Sequence, residues 1–239
     1  MNRAVYIGCA GWSIPASAAD KFPKVGSVLE RYSERFNCVE INSSFYRSHL
    51  PSTYVRWADS VPAQFRFSVK TPRTITHQAR LVGTEALIKK FIDEVSNLGE
   101  KLGCILIQLP PSLAFDTSVA QPFVRTLRQC YLGTLTIEAR HSSWFCPEAD
   151  VLLSAHDISR VRADPAVAKI QQHEEGDVRY FRYHGSPKMY YSDYSLQRLT
   201  TLSEQVSAIS KTVWCIFDNT ALGAATFNAI TLGELQGIV

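Results

Sequence analysis

Eight short runs rich in β-branched and aromatic residues recur along the chain at spacings that leave room for a helix between most of them. They are VYIGC (5–9), CVEIN (38–42), FRFSVK (65–70), CILIQL (104–109), LTIEAR (135–140), SRVRAD (159–164), VRYFRYH (178–184) and VWCIFD (213–218). Longer amphipathic stretches lie between them, clearest over 25–36, 84–102, 118–130, 147–156 and 194–210. Thr84 and Asp193 stand where two of these helices start. A strand followed by a helix returns the chain to its starting edge, so the next strand pairs parallel. Eight such units predict one closed (β/α)8 barrel over 1–239. The interval 165–177 (PAVAKIQQHEEGD) is short and polar and predicts an irregular or shortened helix between strands six and seven. The segment after strand one, AGWSIPASAADKFPK, is long for a strand–helix connection, and long ordered loops often carry function.

The 239 residues are 46% hydrophobic and 20% charged, enough to bury a full core without covalent staples. A net charge of +3 gives no argument for a polyanion by itself and does not exclude one. The six cysteines form no CxxC pair, and most lie in apolar runs, which predicts reduced core thiols and a cytoplasmic protein. The start, MNRAVYIGCAGW, runs straight into strand pattern and predicts no signal peptide. No apolar window reaches membrane-spanning length, so no membrane partner is expected. Oligomeric state leaves no mark in the sequence.

Alternation of side chains along a strand puts one polar series on a single face. It comprises Glu40 and Asn42; Arg66, Ser68 and Lys70; Gln108; Thr136, Glu138 and Arg140; Arg160, Arg162 and Asp164; Tyr180, Arg182 and His184; and Asp218 followed by Asn219. Seven of the eight strands thus end on a polar residue in phase, and the opposite face is apolar. Active sites of such barrels lie at the C-terminal strand ends, which makes this series a candidate site. The competing reading is a self-neutralising network, with Glu40, Glu138, Asp164 and Asp218 balancing Lys70, Arg140, Arg162 and Arg182. Unpaired buried charge is costly, so part of such a ring must be structural in either case.

Glu40 and Glu138 come from strands far apart around the barrel and can face each other as an acid/base pair. His184 ends strand seven and is the third catalytic candidate. His77 and His141 follow other strands. These histidines and carboxylates leave a divalent metal open, although no compact ligand spacing supports one. No cofactor motif and no phosphate-binding glycine loop is present. Trp12, Phe45, Tyr46, Trp144, Tyr190, Tyr191 and Tyr194 lie after strand ends, where aromatics suit stacking on a sugar or base.

The blocks GCAGWS, VEINSSFYRSHLP, FRFSVKTPRTITH, LGCILIQLPPS, EARHSSW, the Asp164–Pro165 step, YFRYHGS and FDNTALGAATFNA resemble, in order, the YecE-like family, the domain of unknown function 72. The resemblance implies a TIM-type barrel with its pocket at the strand C-termini and supplies no reaction. Its matched positions include Trp12, Asn42, Tyr46, Lys70, Gln108, Arg140, Trp144, Asp164, Arg182, Tyr191 and Asn219, which stand here as expected substrate contacts, and Glu40, Glu138 and His184, the catalytic candidates read from the strand ends. Asp218 departs from the family pattern and adds a negative charge.

The leading expectation is an enzyme of the hydrolase or lyase/isomerase class, using carboxylates on an anionic or sugar-like small molecule. Two further readings stand beside it. One is a metal-dependent phosphoesterase or nuclease-like enzyme. The other is a non-catalytic module for nucleic acid or another polyanion.

Overall fold

A computed structural model describes residues 3–167 and 176–238. Eight strands are present: β1 (Val5–Cys9), β2 (Cys38–Ile41), β3 (Arg66–Lys70), β4 (Leu102–Gln108), β5 (Leu135–Glu138), β6 (Ile158–Asp164), β7 (Val178–Tyr183) and β8 (Thr212–Phe217). All neighbours pair parallel, in the order β1-β8-β7-β6-β5-β4-β3-β2. The ends of this sheet meet at the bridge Ala10↔Glu40, which rolls it into a nearly closed barrel.

The predicted helices appear, all but α4 shorter than their amphipathic stretches: α1 (Val28–Ser33), α3 (Glu85–Val95), α4 (Thr117–Cys130), α5 (Pro147–Ser154) and α6 (Leu196–Ser207). Two more were not marked by pattern, α2 (Pro51–Asp59) and α7 (Ala224–Leu235). Ser27 and Glu30 form a capping box that starts α1, and Asp116 caps α4. Thr84 stands at the N-cap of α3 as expected, although its hydroxyl turns to the Leu81 carbonyl instead of capping the helix, whereas Ser195, not Asp193, caps α6. The expected turn between strands six and seven falls largely on 168–175, outside the described residues.

The β1–β2 seam is closed largely by side chains. The Asn37 amide accepts from Ile7 N–H at 2.9 Å and donates to Val5 C=O at 2.7 Å, as a strand backbone would. The Tyr32 hydroxyl accepts from Cys9 N–H at 2.8 Å and donates to Cys38 C=O at 3.1 Å. Gly8 lies against this seam. A Cβ there would stand 2.2 Å from the Cys38 carbonyl oxygen, so only glycine permits the approach.

Two apolar layers hold the barrel. The larger lies between strands and helices and includes Ile7, Val39, Phe67, Ile105, Ile137, Val213 and Phe217. The smaller fills the barrel's interior with Cys38, Cys104, Leu106, Val161, Tyr180, Trp214 and Ile216. All six cysteines are free thiols. Among the described residues no helix is long and apolar enough to cross a membrane.

Candidate active site

Strand phase decides which polar residues enter the barrel. In β2, β3, β5 and β7 the inward set is the predicted one. In β6 it is not. Thr136 lies beside Ser159 and Val161 beside Tyr180, so Ser159 and Val161 face inward. Arg160, Arg162 and Asp164 therefore face the helices, which corrects the inward reading of that strand. Arg160 donates to the Trp144 carbonyl and to Asp150 of α5. Arg162 lies over the Phe181 ring, and Asp164 pairs with Arg198 of α6 at 2.9 Å.

Above the interior apolar layer, Arg182 stands at the centre of the mouth with 1% of its surface exposed. Its Nε and Nη2 donate to the two oxygens of Glu40 at 3.0 and 2.7 Å. Nη1 donates to Glu138 at 2.6 Å, and Nη2 also reaches Asp218 at 3.0 Å. Three carboxylates from β2, β5 and the end of β8 thus share one guanidinium, whose fork geometry suits bidentate pairing. Beneath them the Tyr180 hydroxyl donates to Glu40 at 2.9 Å and lies 2.8 Å from Ser68. Burial alone would raise the Glu138 carboxyl. Arg182, the His184 hydrogen bond and Arg140 outweigh it and hold the group well below the usual range. Burial likewise works against ionised Asp218, and Arg182 and His184 prevail in lowering it.

His184 is fully buried between two carboxylates, with Nδ1 at 3.0 Å from Asp218 and Nε2 at 3.0 Å from Glu138. Arg140 Nη2, which can only donate, lies 2.8 Å from the same Nε2 and 2.6 Å from Glu138. Nε2 cannot donate to Glu138 and accept from Arg140 at once. Each protonation state of the ring keeps one contact and loses the other.

Lys70 ends β3 at the rim of this cluster and is 6% exposed. Its ammonium lies 4.2 Å over the Phe45 ring. Among the described residues no acceptor or carboxylate is within bonding distance of Nζ, because the nearby acids are turned to Arg182 and Arg140. Burial, then the charge of Arg182, pull its pKa down to about 8 against the opposing carboxylates. Three other strand-end groups also lack protein partners among the described residues, Arg140 Nε, Asn42 Oδ1 and Asn219 Oδ1. Buried donors and acceptors are normally paired, so these mark where a polar ligand would be met.

The remaining predicted contacts are scattered. Trp12 is half-buried with its ring edge-on to Trp57 of α2 at 5.0 Å. Tyr46 is largely exposed beside Phe45, and Tyr191 is exposed under the Lys188 ammonium. Gln108 lies in register with Glu138 but donates to the Leu109 carbonyl. Trp144 swings away from the mouth. It is buried against Phe115, and its indole N–H donates to the Leu113 carbonyl at 3.0 Å. Asn219 donates to Ser192 C=O and to Asn228, which fixes the β7 loop. Tyr194 serves the same loop, accepting from Gly185 N–H at 3.0 Å. His77 and His141 bond their neighbours Thr76 and Ser143.

Tyr190 is the residue that sequence reasoning undervalued. It is held at φ 69°, an uncommon conformation for a bulky side chain, and its ring stands edge-on over His184 at 5.7 Å. Its place in the polar stretch YHGSPKMYYSDYS was the available signal, and that signal favoured its neighbours equally.

The donor set does not suit a divalent ion as arranged. Among the described residues no group of three His, Cys, Asp or Glu side chains could hold one. The carboxylates that converge do so on Arg182.

Fold and mouth together define a TIM-type α/β barrel with a buried charged cluster at the C-terminal ends of its strands. The chain belongs to the family described as protein of unknown function DUF72, whose model matches residues 6–238. It is similar to the UPF0759 protein YecE of Escherichia coli K12, at 37% identity over 107 residues, 44% of this chain and 38% of that protein. The UPF0759 protein YunF of Bacillus subtilis is 31% identical over 155 residues, 60% of this chain and 53% of YunF. The match thus spans about two fifths to one half of these relatives' length. The crystal structure of a DUF72 family protein from Thermotoga maritima superposes with a TM-score of 0.83 at 27% identity, covering 98% of this chain and all of that one. Likeness of fold alone extends to SacUVDE, with a TM-score of 0.60 at 12% identity, covering 99% of this chain and 98% of that one. It extends also to a sugar phosphate isomerase/epimerase from Parabacteroides distasonis, with a TM-score of 0.57 at 13% identity, covering 99% of this chain and 94% of that one.

Proposed function

We propose that this protein is an enzyme that binds a small organic anion at the barrel mouth and moves a proton on it, as a lyase or isomerase does. The observation that carries the reading is the Lys70 ammonium, buried at the mouth without a counter-ion among the described residues and poised near neutral pH. An anionic substrate supplies the missing charge, and a group that titrates near the working pH is suited to proton transfer. Arg140, with Nε unpartnered, is the second anion contact. Glu40 and Glu138 enter differently from a free acid/base pair. Arg182 lies between them and holds both, so they form a fixed charged floor. His184 is the relay above that floor, because its Nε2 exchanges partners when a proton moves.

The test is exchange of carbon-bound hydrogen in deuterated buffer, followed by proton NMR across a panel of sugar phosphates and keto acids. The wild type is expected to erase one signal adjacent to a carbonyl, and Lys70→Met to abolish that exchange with the fold intact. Exchange that persists in Lys70→Met, or no binding of any anion in the panel, overturns the reading. A phosphodiester ligand is the second reading. Its support is the cleft beside the mouth whose lining includes Tyr46, Arg47, Arg73 and Lys90, the last paired with Glu94. Binding of single-stranded DNA that weakens steeply with salt would favour it.

A further inference from the structure

The chemistry of Lys70 points beyond anion binding. The ammonium sits at the end of β3, almost wholly buried, with an aromatic face on one side. Each carboxylate that could hold it as a permanent cation is already engaged: Glu40 by Arg182 and Tyr180, Glu138 by Arg182, Arg140 and His184, and Asp218 by Arg182 and His184. A lysine kept for structure would be expected to take one of these acids. A lysine kept as a nucleophile must be free of them, because a tight ion pair locks the nitrogen lone pair behind a proton.

We infer that Lys70 condenses through Nζ with the carbonyl group of an aldehyde or 2-keto acid, forming an imine at the barrel mouth. This rests on the anion-binding reading and names its substrate class: a carbonyl compound whose carboxylate or phosphate lies against Arg140. The atoms balance without a co-reactant. The nitrogen lone pair attacks the carbonyl carbon, the C–N bond forms, and the carbonyl π pair moves to oxygen. Two of the three ammonium hydrogens leave with that oxygen as water, and the third stays on nitrogen. The product is an iminium with the same single positive charge as the ammonium. The balance of charge around Arg182 is unchanged, and the Phe45 ring still faces a cation. The iminium carbon then draws the electron pair of an adjacent C–H bond into a C=C bond, giving a neutral enamine, and the proton passes to the His184 relay, which is the proton transfer proposed above. The depressed pKa supports this role, since about half of Lys70 is free amine near pH 8 while an ordinary lysine is almost wholly protonated.

The experiment uses the full chain at pH 8 with pyruvate or pyridoxal 5′-phosphate as probe and cyanoborohydride to reduce any iminium to a stable secondary amine. Peptide mass mapping then locates the adduct. The expected result is one adduct per chain on Lys70, formed about tenfold or more faster than on the exposed Lys89 and Lys90. Lys70→Arg keeps the cation and should abolish that adduct alone. Modification of the exposed lysines with Lys70 left unmodified overturns the inference. Pyruvate binding is read separately by saturation-transfer NMR. Binding without trapping overturns the imine and leaves the anion reading standing, and absence of trapping together with absence of binding by every anion of the panel overturns the two together.

Discussion

Replacing Lys70 by methionine should stabilise this protein. The side chain stays unbranched, one atom shorter, and loses a charge that folding removes from water and sets beside Arg182. The pKa falls from 10.5 to about 8. At about 1.4 kcal/mol for each pH unit, holding that proton in the folded state at neutral pH costs about 3 kcal/mol. The sign follows from proton counts. Between pH 8 and 10.5 the unfolded chain keeps a proton that the folded chain has released, so wild-type stability rises with pH across that window. Methionine has no such rise. The variant should therefore gain about 3 kcal/mol at pH 7, or about 6–12 °C in Tm for a chain of this size. By pH 10.5 the gain should shrink to the packing difference alone. Urea unfolding followed by tryptophan fluorescence at pH 7 and pH 10 measures both quantities. A variant no more stable than wild type at pH 7, or a gain independent of pH, refutes the reasoning. The confirmed result would show a residue kept at the expense of stability, the common signature of a functional group.

The neighbouring cation has the opposite sign. Arg182→Met removes the buried cation shared by Glu40, Glu138 and Asp218, leaving Glu40 no cation at hydrogen-bond distance among the described residues and Glu138 only Arg140 and His184, and should cost about 3–5 kcal/mol at pH 7. Glu138 and Asp218 have lowered pKa values in the wild type, so their stabilisation is present above the ordinary carboxyl range and fades on acidification, whereas burial without Arg182 raises both. The deficit should thus narrow from pH 7 to pH 5, and equal deficits in urea melts at the two values would count against the assignment. At the seam, Gly8→Ala puts a methyl group 2.2 Å from the Cys38 carbonyl oxygen and must push the strands apart. A loss of about 3 kcal/mol or more is expected, and a melting curve like that of the wild type would refute the close approach.

Much of the barrel was legible because parallel strands covered on both faces read as compact apolar runs. The exceptions have local causes. In α2, Pro51 marks a start, but the eight residues after it mix Ser, Thr and Val with charge in too short a run to stand out as a helix. In α7, Ala225, Thr226, Asn228, Ala229, Ile230 and Leu232 are all buried, so no polar face sets a 3.6-residue period. Strand β6 carries polar residues on both faces, and only its register against Thr136 and Tyr180 decides which enter the barrel. The charged residues of the mouth were visible as strand ends. That Arg182 gathers the carboxylates was not, because side-chain convergence depends on three strands distant in sequence. Trp144 was misplaced for a similar reason: its position after β5 is visible, but its turn toward Leu113 is not.

The seam also ties the integrity of the mouth to one edge of the sheet. Most strand boundaries are zipped by backbone ladders, whereas β1 and β2 are buttoned by an amide, a phenol and the contact of Gly11 N–H with the Glu40 carbonyl. An unrolling barrel would part there first, as its amides would report by early deuterium uptake. Glu40 sits on one lip of that opening and Arg182 lies across the interior from it. Each parting of the lips would carry a carboxylate off the central guanidinium, so the charge pattern of the mouth and the closure of the cylinder would fail in the same motion.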